Sequence, residues 1–141
     1  MQKVRDVMTA QVEYCTPLDN VFEVALKMKD LDVGAIPIVE NDKIVGMITD
    51  RDLVVRGIAE KHPGSNQVTN VMSDNLVTIK PEASLDEAAQ LMADHQIRRL
   101  PVVENGALIG MVSLGDLSIN SRTDDEAGDA LSEISEDHHN L

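Results

Sequence analysis

Two phrases of the chain place a hydroxyl three residues ahead of a carboxylate, where a strand is expected to end and a helix to begin. They read Gly46-Met47-Ile48-Thr49-Asp50-Arg51-Asp52-Leu53 and Gly110-Met111-Val112-Ser113-Leu114-Gly115-Asp116-Leu117. Free backbone N–H groups at a helix start attract phosphate, and a hydroxyl beside them donates to the same anion. The carboxylate of Asp52 or Asp116 accepts hydrogen bonds from both hydroxyls of a vicinal diol such as a ribose. These residue types therefore support binding of a phosphate and a ribose.

The same spacing has a structural interpretation. Thr49 with Asp52, and Ser113 with Asp116, also fit a helix cap with an acid in the first turn, which stabilises a protein by about 0.5–2 kcal/mol. A duplicated fold duplicates its caps, so the residues alone leave both interpretations open.

The two phrases belong to a longer repeat with a fixed interval of 64 residues. The interval holds across roughly 50 positions, which is the signature of two similar structural units. The matching pairs are Val7-Met8 with Val71-Met72, Pro17 with Pro81, Pro37 with Pro101, Gly46-Met47 with Gly110-Met111, and Asp52-Leu53 with Asp116-Leu117. Two copies predict two units related by an approximate twofold axis, with one or two equivalent sites.

Each repeat reads as strand, helix, strand, strand, helix, an α+β pattern. The first strand is a short apolar segment ending at proline, predicted at 12–17 and 76–81. The later strands are predicted at 36–39, 44–48, 100–103 and 108–112, and Asn105-Gly106 is a strong hairpin signal. The first helix of each copy has a capping-box pair and an apolar stripe. These are Asn20 with Glu23 and Val21, Ala25, Met28 in one copy, and Ser84 with Glu87 and Leu85, Ala89, Met92 in the other.

The chain divides into repeat 1 at 1–60, a linker at 61–67, repeat 2 at 68–120, and an acidic tail at 121–141. The linker contains His62-Pro63-Gly64-Ser65-Asn66, which is rich in turn formers. In the tail, helical spacing of apolar residues predicts an amphipathic helix at 126–135 with its acidic face outward. Its apolar residues are Ala127, Ala130, Leu131 and Ile134.

Composition excludes several classes of partner. The net charge of −13 disfavours a nucleic-acid backbone and an anionic membrane surface. Phe22 and Tyr14 are the only aromatic residues, which leaves almost nothing for base stacking. Cys15 is the only cysteine, no apolar run approaches the roughly 20 residues that span a bilayer, and the N-terminus has no signal-peptide core. We expect a cytoplasmic protein without an internal disulfide.

At this point the residues resemble a known family. Positions 4–120 are similar to a tandem pair of CBS domains, of the stand-alone bacterial type. The marks are the Val-Met opening, Thr16-Pro17, the phrase Val33-Gly34-Ala35-Ile36-Pro37-Ile38-Val39, and the closing Gly-x-x-[Ser/Thr]-x-x-Asp-Leu of both copies. The phrase His95-Gln96-Ile97-Arg98-Arg99-Leu100-Pro101 is similar to one in adenylate-sensing members.

The resemblance implies two repeats paired through their sheets, ligand clefts at the repeat interface, and a homodimer. It also implies an adenosine-containing ligand, chiefly AMP, ADP or ATP, and less often S-adenosylmethionine or NAD. No cofactor or metal is implied.

Carried over from the family, Asp52 and Asp116 hold ribose hydroxyls, and Thr49 and Ser113 bind ribose or phosphate. Thr16 and Lys80, together with the backbone near Ile36, Pro37 and Leu100, border the base. Arg98 and Arg99 reach phosphates in the cleft whose ribose Asp52 holds.

The copies differ where this matters, because Gly34-Ala35 stand in place of Arg98-Arg99, and Leu114-Gly115 in place of Asp50-Arg51. We therefore expect a stronger Asp52 site, with Arg51 adding positive charge. The alternative to phosphate binding is that one arginine of the Arg98–Arg99 pair lies on the surface and pairs with Asp94 or Glu104. For Arg51 the alternative is a position on a solvated helix face.

Three functions remain open on sequence. The first is a regulatory module that senses an adenine nucleotide and signals to a partner protein. The second is a dimeric scaffold with empty or vestigial clefts. The third is a small enzyme using Cys15 or the carboxylates of Asp50, Asp52 and Asp116. It ranks last because the sequence has no Walker-type loop, metal-ligand spacing or nucleophile elbow.

Overall fold

The chain forms short helices and hairpins in the repeated order, which confirms the α+β fold class. The computed structural model describes residues 2–73 and 76–119. The α-helices are α1 (Val4–Val7), α2 (Val21–Leu31), α3 (Asp50–Asp52), α4 (Leu85–His95) and α5 (Leu114–Ser118). The strands are β1 (Ala35–Glu40), β2 (Lys43–Thr49), β3 (Arg99–Glu104) and β4 (Ala107–Ser113). A π-helical segment, Leu53–Ile58, continues α3, and a short 3-10 turn spans Val68–Asn70. The predicted C-terminal helix at 126–135 lies outside the described residues.

The two long helices begin at the predicted caps. In α2, Asn20 accepts a hydrogen bond from the N–H of Glu23 at 2.8 Å, and Glu23 accepts one from the N–H of Asn20 at 3.2 Å. In α4, Ser84 accepts from the N–H of Glu87 at 3.1 Å. The predicted apolar stripe of α4 is buried, whereas in α2 the buried residues are Val24 and Met28 rather than Ala25.

Both predicted hairpins form, and each strand extends one residue beyond its predicted end on either side. β1 and β2 pair antiparallel around a turn in which Asn41 and Asp42 have φ of 52° and 65°. In the second hairpin, β3 and β4 are hydrogen-bonded neighbours, and Asn105 and Gly106 have φ of 54° and 83°. Two successive positive φ angles match the twist of the flanking strands, which explains the preference for Asn, Asp and Gly there.

The predicted first strand of each repeat is wrong as a strand. Cys15 makes a single parallel bridge to Ile38, and Ile79 makes one to Val102. A proline follows two residues later in each copy and supplies no N–H to continue a ladder.

The residues cluster into two units that do not coincide with the two repeats. Among the described residues, one unit, the Asp52 unit, contains 13–73, 76 and 106–108; the other, the Asp116 unit, contains 2–12, 77–105 and 109–119. The Asp116 unit thus combines the first twelve residues with repeat 2. Val4, the first residue of α1, is fully buried there and donates its N–H to the carbonyl of Ala83 at 2.9 Å.

Each unit has its own apolar core. In the Asp52 unit it includes Val24, Ile36, Ile48 and Val71; in the Asp116 unit it includes Val4, Leu85, Met92, Leu100 and Leu117. Among the described residues, no helix is both long and apolar enough to cross a membrane.

Candidate ligand-binding sites

The hydroxyl and the carboxylate of the Asp52 unit form a reciprocal helix cap. Thr49 is the residue before α3, and its Oγ1 accepts from the N–H of Asp52 at 3.1 Å. The Oδ2 of Asp52 accepts from the N–H of Thr49 at 2.9 Å. Both residues are half-buried. The cap therefore fixes the Asp52 carboxylate, while its Oδ1 has no hydrogen-bond partner among residues 2–73 and 76–119.

The Asp116 unit repeats this geometry at the start of α5. The Oγ of Ser113 accepts from the N–H of Asp116 at 3.1 Å, and the Oδ2 of Asp116 accepts from the N–H of Ser113 at 2.8 Å. The capping interpretation is thus correct in both copies. It does not exclude binding, because a fixed carboxylate with one open oxygen is also a preorganised acceptor for a diol.

A backbone hydrogen bond ties each closing helix to the residue that leads into the first strand of its hairpin. The N–H of Asp50 donates to the carbonyl of Gly34 at 2.9 Å, and the N–H of Leu114 donates to the carbonyl of Arg98 at 2.8 Å. The Arg98 backbone therefore lies at the start of α5, where the other unit has a glycine. Sequence reasoning did not identify this contact, which depends on tertiary placement.

The three arginines predicted for phosphate are exposed, and none forms an ion pair within the described part of the chain. The two carboxylates proposed as alternative partners of Arg98 or Arg99 contact other side chains. Glu104 pairs with Arg5 at 3.0 Å, and Asp94 accepts from the side chain of Gln90 at 2.7 Å. Within the described residues, neither Arg98 nor Arg99 forms an ion pair with these two carboxylates.

The residues predicted to border the base lie next to the two single-residue β-bridges, Cys15 with Ile38 and Ile79 with Val102. The N–H of Cys15 donates to the carbonyl of Pro37 at 3.0 Å, so Thr16 lies one residue beyond this contact. The side chains of Ile36 and Leu100 are fully buried in their cores, and Pro37 is buried as well, which leaves the backbone as their only means of contact with a ligand. Lys80, the counterpart of Thr16, is exposed.

One positioning residue was missed on sequence. The carboxylate of Asp19 accepts from the N–H of Thr16 at 2.7 Å, and the Thr16 hydroxyl accepts from the N–H of Leu18 at 3.3 Å. The signal was present, since Thr and Asp are typical of such side chain–backbone turns. Repeat 2 has Ala83 at the Asp19 position and lacks this support.

Cys15 is unsuited to nucleophilic chemistry. It is 2% exposed, and burial, reinforced by the charge of Asp19, raises the pKa of its thiol to about 11. The reactive thiolate is therefore scarce at neutral pH.

A surface pocket of about 500 Å³ lies in the Asp52 unit but contains none of the residues predicted to bind a nucleotide. Four of its eight lining residues are acids, so phosphate is disfavoured there. The lining residues are Glu13, Cys15, Asp19, Glu23, Leu26, Lys27, Asp30 and Leu31.

Comparison with known proteins finds a family match over most of the chain. The family model described as CBS domain matches twice, at residues 4–57 and 68–120. A Bacillus subtilis (strain 168) protein named uncharacterized protein YlbB is 54% identical over 138 residues, covering 96% of this chain and 93% of the relative.

Solved structures share the fold. Hypoxic Response Protein I with two coordinated zinc ions has a TM-score of 0.78 at 32% identity, covering 84% of this chain and 98% of that one. Within the described residues of this chain, no three His, Cys, Asp or Glu side chains are grouped to share a metal ion.

Two further structures contain adenosine ligands. CBSX2 in complex with AMP has a TM-score of 0.78 at 24% identity, covering 89% of this chain and 99% of that one. The CBS domain pair of protein MJ0100, in complex with 5′-methylthioadenosine and S-adenosyl-L-methionine, has a TM-score of 0.75 at 23% identity, covering 84% and 94%.

Proposed function

The chain belongs to the CBS domain family, and we propose that it is a regulatory module that binds an adenine nucleotide, AMP, ADP or ATP, and signals to a partner protein. A CBS pair is a binding module and not an enzyme. The observation that carries the proposal is the pair of capped carboxylates, Asp52 and Asp116. Each is held by its own helix start, and neither Oδ1 has a hydrogen-bond partner among the described residues.

In this proposal Asp52 and Asp116 accept from ribose hydroxyls, while Thr49 and Ser113 bind ribose or phosphate. The caps favour this function because they hold the carboxylates before the ligand arrives, so little side-chain entropy is lost on binding. The fold is also one that holds adenosine-containing ligands in other proteins.

Arg51, Arg98 and Arg99 are proposed to contact phosphate, since their guanidinium groups are exposed and unpaired within the described residues. The base is bordered by Thr16 and Lys80 and by the backbone at Ile36, Pro37 and Leu100. Support for the backbone role comes from the burial of the Ile36 and Leu100 side chains.

We place the protein in the cytoplasm as a homodimer. The net charge of −13 disfavours nucleic acid and an anionic membrane surface as partners.

A thermal-shift screen with AMP, ADP, ATP, S-adenosylmethionine and NAD tests the proposal. At a hundredfold excess over its Kd, a ligand of the folded state adds about 2.7 kcal/mol to the free energy of unfolding. For a chain of this length each kcal/mol raises the Tm by roughly 2–4 °C, so a rise of about 5–10 °C is expected for the correct nucleotide.

The outcomes separate the alternatives. A shift with S-adenosylmethionine or NAD alone keeps the sensor and changes its ligand. If none of the five compounds moves the Tm at millimolar concentration, the scaffold function replaces the sensor.

A further inference from the structure

The carboxylate of Asp50 lies over the start of α3, between the helix and the segment that leads into β1. Its Oδ1 accepts from the N–H of Arg51 at 2.8 Å. Its Oδ2 lies against the backbone of Gly34, where a Cβ would come within 3.1 Å of it. Asp50 is exposed, and it forms no ion pair with any residue of 2–73 or 76–119. Its negative charge is therefore not neutralised by the described part of the chain.

The N–H groups at this helix start all have acceptors within the protein. Those of Thr49 and Asp52 are bonded within the cap. The N–H of Asp50 donates to the carbonyl of Gly34, and the N–H of Arg51 donates to the Asp50 carboxylate. Free N–H groups are what makes a helix start attract an anion. A phosphate beside Asp52 therefore meets a second carboxylate where such groups would otherwise attract it.

Repeat 2 shows that the fold does not require this carboxylate. Leu114, which is buried, stands 64 positions after Asp50, and Arg98 stands 64 positions after Gly34. The backbone bond between the two positions is kept, at 2.9 Å in the first copy and 2.8 Å in the second. The same contact thus joins an acid to a glycine in the Asp52 unit and an apolar residue to an arginine in the Asp116 unit.

Two roles fit a carboxylate at this place. An acid in the first turn stabilises a helix start, which predicts a lower stability when the charge is removed and no effect on the choice of ligand. A carboxylate close to the ligand repels phosphate, which predicts a change in the relative affinities of ligands that differ in charge. The exposure of Asp50 and its lack of an ion-pair partner among the described residues favour the second role.

We propose that Asp50 determines which adenine nucleotide the Asp52 site prefers, by favouring AMP over ATP. This preference rests on the proposed nucleotide-binding function and specifies the ligand of one site. Each further phosphate adds about one negative charge, and the repulsion from a nearby carboxylate grows with the charge of the ligand. Water and salt weaken the repulsion because Asp50 is exposed, so the preference is moderate.

Isothermal titration calorimetry of the full chain with AMP and with ATP, in the absence of Mg²⁺, tests this role. Asp50→Asn removes the charge and keeps an oxygen for the N–H of Arg51. We expect it to lower the ratio of the ATP Kd to the AMP Kd by about 3- to 10-fold. Asp50→Glu keeps the charge and should retain the wild-type preference. Combined with Asp52→Ala, which removes the ribose acceptor of this site, Asp50→Asn should no longer change the ratio.

The matched control is Glu40→Gln, which removes one negative charge at the other end of the same hairpin. Glu40 pairs with Lys43 at the turn, whereas Thr49 pairs with Ala35 at the opposite end. The rise of an extended strand puts roughly 17 Å between the two ends, beyond the Debye length of about 8 Å. Glu40→Gln should therefore leave the ratio of the two Kd values unchanged.

The outcomes separate this role from the function on which it rests. If AMP and ATP bind but Asp50→Asn keeps the wild-type ratio, or Glu40→Gln lowers it equally, the role of Asp50 is overturned and the nucleotide function stands. A lower Tm of Asp50→Asn at an unchanged ratio assigns the carboxylate to helix stability alone. If neither nucleotide binds the wild type, the proposed function fails and this role with it. Weaker binding of ATP by Asp50→Asn in the presence of Mg²⁺ also overturns it, because the carboxylate would then attract the metal-bound phosphates.

Discussion

The Asp52 unit and the Asp116 unit build the same cap and surround it with different chemistry. The cap distances agree within 0.1 Å, at 2.9 and 3.1 Å in one unit and 2.8 and 3.1 Å in the other. The residue that follows the capping residue differs between the units. Asp50 is exposed, whereas the side chain of Leu114 is buried, with 6% of its surface exposed. Beyond the cap, the Asp52 unit continues as a π-helix and the Asp116 unit as an ordinary α-helix.

This comparison separates stability from recognition. The cap is common to both copies and contributes to folding whether or not a ligand binds. Any difference in ligand preference between the two units must come from features that differ between them. The π-helical segment is one such feature. Such segments occur often at functional sites, and this one directly follows Asp52.

The largest effect is expected from removing the ribose acceptors one at a time. Asp52→Ala should weaken nucleotide binding by about 5- to 150-fold, because a ribose hydroxyl loses its hydrogen-bond acceptor. Asp116→Ala should have the smaller effect, because the additional arginines are expected at the Asp52 site. Both variants also lose the hydrogen bond from the N–H of the capping residue to the carboxylate, while the Thr49 or Ser113 hydroxyl still caps the helix. Isothermal titration calorimetry on both variants measures the difference. Asp52→Asn keeps a cap acceptor and serves as the control for folding. Equal losses at the two positions would show that the sites were ranked wrongly.

The second effect distinguishes phosphate contact from surface charge at Arg98 and Arg99. Charge-assisted hydrogen bonds contribute roughly 1.5–3 kcal/mol each, so Arg98→Ala with Arg99→Ala should weaken AMP at least tenfold. Adenosine, which has no phosphate, should be nearly unaffected. Titrating AMP and adenosine against the same variant gives the ratio of the two losses of affinity. A parallel loss for AMP and adenosine would remove the pair from the site and leave Arg51 as the nearby cation.

A third effect compares the close backbone contacts of the two units. A Cβ at Gly110 would lie 2.9 Å from the carbonyl oxygen of Thr9, and one at Gly46 would lie 3.1 Å from that of Ser73. Neither glycine needs a positive φ. The clash, at roughly 1–3 kcal/mol for an overpacked site, outweighs the gain of about 0.4–1 kcal/mol from a stiffer unfolded chain. Gly110→Ala should therefore lower the free energy of unfolding in urea, and Gly46→Ala should lower it less. The reverse order would contradict the contact distances.

The sequence predicted local features well because local chemistry determines them. Asn105-Gly106 adopts the positive φ angles of a hairpin turn, and Asn20 with Glu23 closes its capping box. Tertiary features were missed. Nothing in the periodicity of residues 1–12 indicates that they join repeat 2, because that depends on Val4 filling a core built from distant residues. The π-helix at Leu53–Ile58 was missed for the same reason, since its buried Gly57 faces Val71 of a later segment.

At the site, sequence identified the capped pairs but could not decide between cap and ligand. The structure shows that Thr49 and Asp52 form the cap, and the ligand role remains a proposal. Support for Thr16 by Asp19 was missed because it depends on a bent segment that was expected to be a strand.

The smallest effect concerns an ion cluster that, within the described part of the chain, is found only in the Asp116 unit. In the Asp116 unit, Glu82 binds Lys3 at 2.8 Å and Arg5 at 3.0 Å. Hydrogen bonds from Lys3, then from Arg5, hold the pKa of Glu82 below its ordinary value of 4.5. Because the pKa is lower in the folded protein, the stabilisation is complete above the ordinary value and is lost as the pH falls through the lowered value.

Below pH 4.5 the Tm of Glu82→Gln should therefore fall less steeply with decreasing pH than the Tm of the wild type. The difference should be small, because the cluster is exposed. Leu18 stands at the equivalent position of repeat 1, so that copy has no such group to titrate. Glu40→Gln in the Asp52 unit is the matched control and should leave the fall of Tm at acid pH unchanged. Screening by 1 M salt should bring the wild type and Glu82→Gln together, since the Debye length falls to about 3 Å. If both variants follow the wild-type pH curve at low salt, the cluster contributes nothing to acid stability, and the two units do not differ in this respect.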